Sequence, residues 1–266
     1  MPDEDRIQQA ARFLCEVHRA HRAFAALPTT LAPRTVDEAY DIQERFHTYM
    51  GEIHGPIAGY KVALTTPVMR QMVGFQAPIA GAILARTIHP SAVSLRHADY
   101  GRLGIECELA VQLGMDLPAT KAPYRLNQIA DAVAAVIPAF ELVDDRQADY
   151  TQLAALVLAL IADNAWNAGI VLGSPFREWH TVDLGAARGA MVINGKIVGE
   201  GHGRDVMGHP FEALLWLVNM LAQRAKSLTQ GMIIMTGSLV TTRFVNPGDA
   251  VRLSVEGVGE VQLSVV

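Results

Sequence analysis

The sequence predicts an α+β fold: a mixed β-sheet roll with a small amino-terminal α/β cap. Three observations lead there. Helix-period apolar spacing opens the chain and then returns only at irregular intervals. Alternating apolar and polar positions, bounded by turn residues, dominate the rest. Strands and helices do not alternate regularly, which argues against a doubly wound parallel sheet.

The elements follow in order. Residues 5–27 read as a helix, with Ile7, Ala11, Leu14, Val17 and Phe24 near helical spacing. Residues 35–50 read as a second, with Thr35 as cap and Glu38 completing a capping box. Gly59 opens a strand in which Val62 and Leu64 alternate with Lys61 and Ala63, and Thr66 to Val73 suits a short helix. A boundary near residue 76 divides a cap, 1–75, from a catalytic β-roll domain, 76–266. Gly104 to Leu113 alternates cleanly: Leu103, Ile105, Cys107, Leu109, Val111 and Leu113 face one way, and Gly104, Glu106, Glu108, Ala110 and Gln112 the other. Asn127 to Val136 reads as a helix ended by Pro138, and Tyr150 to Ala162 as another. Gly169 to Leu172 is a short buried strand, and Ala190 to Val198 a hairpin around Asn194-Gly195. Pro210 to Ala225 is a helix with proline in its first turn, Met232 to Met235 a strand, and Ala250–Val255 and Glu260–Val265 a closing pair. There is no internal repeat, and GHGRDVMG at 201–208 does not match a dinucleotide fingerprint.

Composition narrows the function. The 266 residues are 50% hydrophobic and 18% charged with net charge -5, which excludes disorder. No apolar run approaches the roughly 20 residues of a spanning helix, and MPDEDRIQQAARF does not resemble a secretory signal. Two cysteines, Cys15 and Cys107, make no disulfide framework, so a reducing, cytoplasmic compartment is expected. Scattered arginines on an acidic chain give no case for nucleic acid.

Several residues are candidates for chemistry. Glu106 and Glu108 lie on one strand face about 7 Å apart, and suit either a divalent cation between them or a solvated outer face. Glu141 sits in the apolar run VIPAFELV, where a charge needs a partner: an arginine, a metal or water. Together the three acids would suit an octahedral Mg²⁺ site, although spacing alone does not bring Glu141 to the other two. Lys61, one of four lysines, is either a buried lysine with a depressed pKa or a snorkelling one. Asp163-Asn164 is either a helix-end turn or a polar pair at a cavity. Thr236-Gly237-Ser238 is either an ordinary turn or a strand end whose N–H groups and hydroxyls bind a carboxylate. His18 and His21 are expected to face solvent, His209 to shape a helix entry, and Cys107 to point away from the acids.

In this order, GYKVALTTPVMRQMVGFQAPIAGAIL, GIECELAVQLG, VIPAFELVDDR, IADNAWNAGIVLG, the GHP before the helix at 210, and MIIMTGSLV resemble the hydratase/decarboxylase branch of the fumarylacetoacetate hydrolase superfamily. Within it the resemblance is to 2-keto-4-pentenoate (2-hydroxypenta-2,4-dienoate) hydratases, with 4-oxalocrotonate decarboxylases as near relatives. It implies a mixed β-roll of that superfamily's type and a homo-oligomer. It implies that Glu106, Glu108 and Glu141 bind Mg²⁺ or Mn²⁺, and that Lys61 and Asp163 are catalytic. Asn164, Thr236, Gly237 and Ser238 would bind the substrate. The implied reaction adds water to a 2-hydroxy-2,4-dienoate, giving a 4-hydroxy-2-oxo acid in aromatic-compound catabolism. Alternatives are a 2-oxo-enedioate decarboxylase of the 4-oxalocrotonate type, or a non-catalytic partner subunit in complex with a pathway decarboxylase.

Overall fold

The computed structural model describes residues 3–266. Helix α1 (Asp3–Arg19) has acids in its first turn and His18 and Arg19 in its last, matching the helix dipole. It ends before the expected residue 27 because His21 takes a left-handed φ of 46° and reverses the chain. Phe24, expected on its apolar face, packs edge-on to Trp166 instead, with ring centroids 5.1 Å apart. Helix α2 (Val36–His54) starts where the sequence predicts, with the Glu38 N–H donating to Thr35 Oγ1 at 3.1 Å. The Glu38 carboxylate accepts from the Arg34 N–H, one residue before the one a standard capping box uses.

The remaining elements are β1 (Ile57–Ala63), α3 (Pro67–Met72), β2 (Ile79–Leu84), β3 (Ile88–Pro90), β4 (Val93–Leu95) and β5 (Leu103–Leu113). They continue with α4 (Leu126–Asp131), β6 (Val133–Asp144), α5 (Leu153–Ala162), β7 (Asn167–Leu172), β8 (Arg188–Ile193) and β9 (Lys196–His202). Helix α6 (Pro210–Gln223) and strands β10 (Ile233–Phe244), β11 (Ala250–Val255) and β12 (Gly259–Val265) complete the chain. Among the described residues the strands form two mixed sheets, ordered β2-β1-β10-β5-β6-β7-β3 and β4-β12-β11-β8-β9. Residue 76 lies between α3 and β2, and β1 on its amino-terminal side pairs with both β2 and β10.

Two expectations are corrected here. The predicted helix over 127–136 stops at Asp131, and Val133 onward is strand β6, running straight through Pro138. Pro138 is tolerated because its carbonyl accepts from the Gly173 N–H at 2.9 Å, so its missing N–H lies on the β7 side and not on the β5 ladder. The strand at 232–235 does not turn at Thr236: β10 continues to Phe244, its register against β5 shifting on either side of Ser238.

The seven-stranded sheet separates two apolar layers. One face joins the main core, where Leu103, Ile105, Cys107, Leu109 and Val111 of β5 are buried with the inner faces of α1, α2, α5 and α6. The other carries a second cluster of Ile83, Ala110, Ile137, Ala139, Ile170, Ile233 and Met235. Strand alternation places Glu106, Glu108 and Glu141 on this second face, in line with Ala110, Ala139 and Ile137.

Edge strand β2 has its outward backbone groups capped by side chains. Tyr40 Oη accepts from the Ala80 N–H at 3.0 Å, and Gln43 Nε2 donates to the Ala80 carbonyl at 2.9 Å. One pair further on, Asn164 Oδ1 accepts from the Ala82 N–H at 2.7 Å and Asn164 Nδ2 donates to the Ala82 carbonyl at 2.9 Å. The carboxamide thus imitates a neighbouring strand and blunts an otherwise open edge. His47, whose pKa burial drives down to about 4, is neutral and donates from Nε2 to the same Oδ1 at 2.7 Å. Gly81 makes room: a Cβ there would lie 2.7 Å from the Asn164 carbonyl oxygen. Replacing Asn164 with alanine strands these buried groups, so Asn164→Ala is expected to lower stability by about 3 kcal/mol in denaturant unfolding.

Candidate metal centre

Strands β5 and β6 pair so that Glu106 stands directly opposite Glu141. Glu108 follows on the same face, two residues along β5. One oxygen from each carboxylate lies within 4.8 Å of the others. Glu108 and Glu141 are 0% exposed, which excludes a solvated outer face. Burying carboxylates together is costly unless positive charge and donors compensate.

The compensation is uneven. Lys61 of β1, 3% exposed, places Nζ 3.0 Å from Glu141 Oε1. Asn167, at the start of β7, donates from Nδ2 to that same oxygen at 3.0 Å. The Gly237 N–H donates to Glu108 Oε2 at 2.7 Å, and Thr242 Oγ1 to Glu106 Oε1 at 2.6 Å. Each carboxylate therefore has one oxygen held by the protein. Glu108 Oε1 and Glu141 Oε2 are buried with no partner. Three carboxylates facing one ammonium leave a formal charge of −2, which a divalent cation balances. An all-oxygen donor set suits Mg²⁺ or Mn²⁺.

The proton affinities follow. Burial, then the Glu141 charge, raises the pKa of Glu106, with Lys61 and Thr242 pulling back. Burial, then Glu141 and Glu106, drives Glu108 well above the usual carboxylate range. Burial disfavours the Lys61 charge, but the carboxylates outweigh it and hold the ammonium above its ordinary pKa. The depressed pKa expected of a buried lysine is therefore reversed by its neighbours.

The other sequence candidates lie around this cluster in distinct ways. Gly237 belongs to it through its N–H. It has φ of 116°, and a Cβ there would meet Thr65 Oγ1 at 2.5 Å, so only glycine brings the N–H to Glu108. The Thr236 hydroxyl donates to the Leu109 carbonyl at 2.7 Å. Ser238 Oγ accepts from the Cys107 N–H at 3.2 Å and lies 2.6 Å from the Val240 carbonyl, bridging the irregular β5–β10 register. Asp163 is 1% exposed, with one oxygen against His18 Nε2 and the other against the Arg146 guanidinium. Burial raises its pKa, but His18 and Arg146 hold it below the usual range. His18 is thus an ion-pair partner and not a solvent-facing residue, because α1 packs it against the end of α5; His21 is exposed as expected. Asn164 is committed to Ala82 and His47. His209 caps α6 by accepting from the Phe211 N–H, and Cys107 is buried on the opposite face of β5.

Sequence reasoning missed Thr242, Asn167 and Arg146. Thr242 and Asn167 lie on strand segments that the sequence pattern left unassigned. Arg146 follows a pair of aspartates in VDDR, a composition that reads as surface. A cleft of about 830 Å³, lined by Tyr40, Glu44, Tyr60 and Arg224, lies across β1 from the cluster, since Tyr60 and Lys61 are adjacent and point to opposite faces.

The raised carboxylate pKa values fix a pH dependence. Without a cation, Glu106 and Glu108 bind more protons in the folded protein than in the unfolded chain from about pH 4.5 up to their folded-state pKa values, so their contribution to stability falls as pH rises through that window, while His47, neutral in the fold, acts in the opposite sense below about pH 6.5. Thermal unfolding in EDTA is expected to show a falling midpoint from about pH 6.5 to pH 8, above the range in which His47 titrates in the unfolded chain. Millimolar Mg²⁺ is expected to restore it most at pH 8, where protons no longer compete for the oxygens.

Residues 71–266 match the family described as Fumarylacetoacetate (FAA) hydrolase C-terminal. The chain is 28% identical over 255 residues to a 2-keto-4-pentenoate hydratase of Paraburkholderia xenovorans (strain LB400), covering 96% of this chain and 93% of the relative. It is 30% identical over 232 residues to a 4-oxalocrotonate decarboxylase of Pseudomonas putida, covering 85% and 84%. A solved structure of 4-oxalocrotonate decarboxylase from Pseudomonas putida G7, complexed with magnesium and adipate, superposes with a TM-score of 0.89 at 25% identity, covering 99% of this chain and 98% of that one. With its mixed two-sheet fold and its match from residue 71 onward, the chain belongs to the fumarylacetoacetate hydrolase family.

Proposed function

We propose that the chain is a divalent-cation-dependent hydratase. It adds water to a 2-hydroxy-2,4-dienoate of the 2-keto-4-pentenoate type and yields a 4-hydroxy-2-oxo acid. The observation that carries this reading is the trio Glu106, Glu108 and Glu141, half-buried at Glu106 and fully buried at the other two, one oxygen of each held by a protein donor, with Glu108 Oε1 and Glu141 Oε2 left without partners. Similarity over nearly the whole chain to a relative named 2-keto-4-pentenoate hydratase supports the reaction class.

Glu106, Glu108 and Glu141 would hold Mg²⁺ or Mn²⁺. When bound, the cation supplies Lewis-acid stabilisation of negative charge at the C2 oxygen of the substrate. Lys61 handles the proton. Its ammonium, kept charged by the carboxylates and oriented by Glu141, gives a proton from Nζ to the far carbon of the dienol. The proton lost from the C2 hydroxyl restores the ammonium as the dienol becomes a 2-oxo-3-enoate. Water then adds across C3 and C4, hydroxyl to C4 and hydrogen to C3. Asp163, with both oxygens engaged, acts in this reading by fixing the end of α5. Gly237 acts by holding Glu108, and Thr236 and Ser238 by tying β10 to β5 on either side of it.

A second reading draws on the similarity to 4-oxalocrotonate decarboxylase in both sequence and structure. The same carboxylates and Lys61 would serve a 2-oxo-enedioate whose C–C bond to the departing CO₂ breaks, leaving its electron pair on the dienolate.

Incubation of purified protein with 2-hydroxypenta-2,4-dienoate, in Mg²⁺ or EDTA, followed by proton NMR, tests the choice. Magnesium-dependent formation of 4-hydroxy-2-oxopentanoate is expected. Release of CO₂ from 2-oxo-3-hexenedioate without hydration would favour the second reading, and inactivity on both would overturn the proposal. Glu108→Gln is expected to lower magnesium-stimulated turnover by about 100-fold or more, the scale of losing Lewis-acid stabilisation worth several kcal/mol.

A further inference from the structure

Between α5 and β7 the backbone makes an unusual turn. Asn164, Ala165 and Trp166 have φ of 57°, 47° and 61°, three consecutive non-glycine residues in the left-handed region. Each such residue is strained and persists only where its surroundings impose it. Here Ala165 is buried and the residues around it are held. Asp163, just before the turn, is clamped by Arg146 and His18 from two other elements. Asn164 is bound to β2 and to His47 of α2. Trp166 is wedged between Phe24 and Tyr150, with ring centroids 5.1 and 5.9 Å away.

The next residue is Asn167, whose carboxamide donates to Glu141 Oε1 at 3.0 Å. The Glu141 carboxylate thereby has two donors on one oxygen, Asn167 and Lys61, and none on the other. The two donors come from strands on either flank of β6, β1 and β7, and together restrain the group. Lysine alone would leave it free to turn about a single contact. Asn167 is neutral, so it orients the acid without cancelling its charge.

We propose that Asn167 is a positioning residue for the cation site, and that the left-handed turn at 164–166 exists to place it. The inference rests on the cation-site reading above. It assigns Asn167 no contact with cation or substrate: it acts through Glu141 by keeping Oε2 turned toward the other two carboxylates. Partners of metal-ligating carboxylates typically govern affinity by 10- to 100-fold, roughly.

The test is Mn²⁺ binding to the purified full chain, by titration calorimetry and by loss of the free-ion EPR signal, in wild type, Asn167→Ala and Asn167→Asp. Wild type is expected to bind about one Mn²⁺ per chain. Asn167→Ala is expected to bind it about 10-fold or more weakly, with the unfolding temperature in EDTA lowered only slightly, because Lys61 still holds the Glu141 oxygen that loses its second donor. Asn167→Asp keeps the shape but exchanges the donor for a second acceptor, and is expected to lose affinity as well. Wild-type affinity in Asn167→Ala would overturn the positioning role while leaving the cation site intact. So would equal losses of affinity and metal-free stability, which would make the residue merely structural. A wild-type chain that binds no Mn²⁺ would instead overturn the cation-site reading itself.

Discussion

Three carboxylates, two of them fully buried, are gathered beside a single lysine, and the surrounding structure answers to that imbalance. Glu106 and Glu141 stand opposite each other across the β5–β6 ladder, and Glu108 follows two residues on. The neighbouring positions on the same face are Ala110, Ile137 and Ala139, which offer no hydrogen bond and keep the local dielectric low. In that setting like charges repel strongly and protons are bound tightly, and both effects make a divalent cation a strong competitor for the oxygens. The protein supplies donors to one oxygen of each acid and leaves the opposing oxygens of Glu108 and Glu141 bare.

The fold can be read as the set of supports for those donors. Lys61 arrives on β1, which reaches the cluster only because β10 intervenes between it and β5. Gly237 arrives on β10 at an irregularity in its pairing with β5, where the absence of a side chain lets Thr65 pack against the backbone. Asn167 arrives on β7 from a strained turn tied to the outer edge of β2 by Asn164. The same carboxamide that closes an exposed sheet edge thus begins the segment that reaches Glu141. The ion pairs of Asp163 with Arg146 and His18 connect α1 and the β6–α5 loop to that segment, so that helices on the far side of the sheet bear on the geometry of the site.

Much of this was legible in the sequence, and what was not has physical causes. The β5 alternation placed Glu106 and Glu108 on one face and Cys107 on the other, because one face packs into the apolar core while the other carries the carboxylates, and that difference shows as a period of two. Asn194-Gly195 fixed a hairpin, and Thr35 and Pro210 marked two helix starts, because each carries its own local mechanism. The β6 strand was hidden: VAAVIPAF has no alternation, and proline in a strand is acceptable only where a neighbour is missing, which is a property of the sheet and not of the segment. The convergence of Glu141 on the other two acids depends on β5–β6 register, which no spacing records and only the family resemblance implied. Asp163 and Asn164 were recognised as unusual, but a polar pair after an apolar helix does not reveal whether it faces a ligand or its own backbone. Here the hydrogen bonds show it facing protein. Lys61 is buried and not snorkelling, and its pKa shift is opposite to that of an isolated buried lysine, since the sign depends on carboxylates brought from two other strands, β5 and β6.

The account stands on a cation bound among Glu106, Glu108 and Glu141. Anomalous X-ray diffraction from crystals grown with Mn²⁺ locates such an ion directly. The predicted result is one strong peak among the three carboxylates, bounded by Glu108 Oε1 and Glu141 Oε2. A Mn²⁺ peak elsewhere in the chain, with none in the cluster, would contradict it.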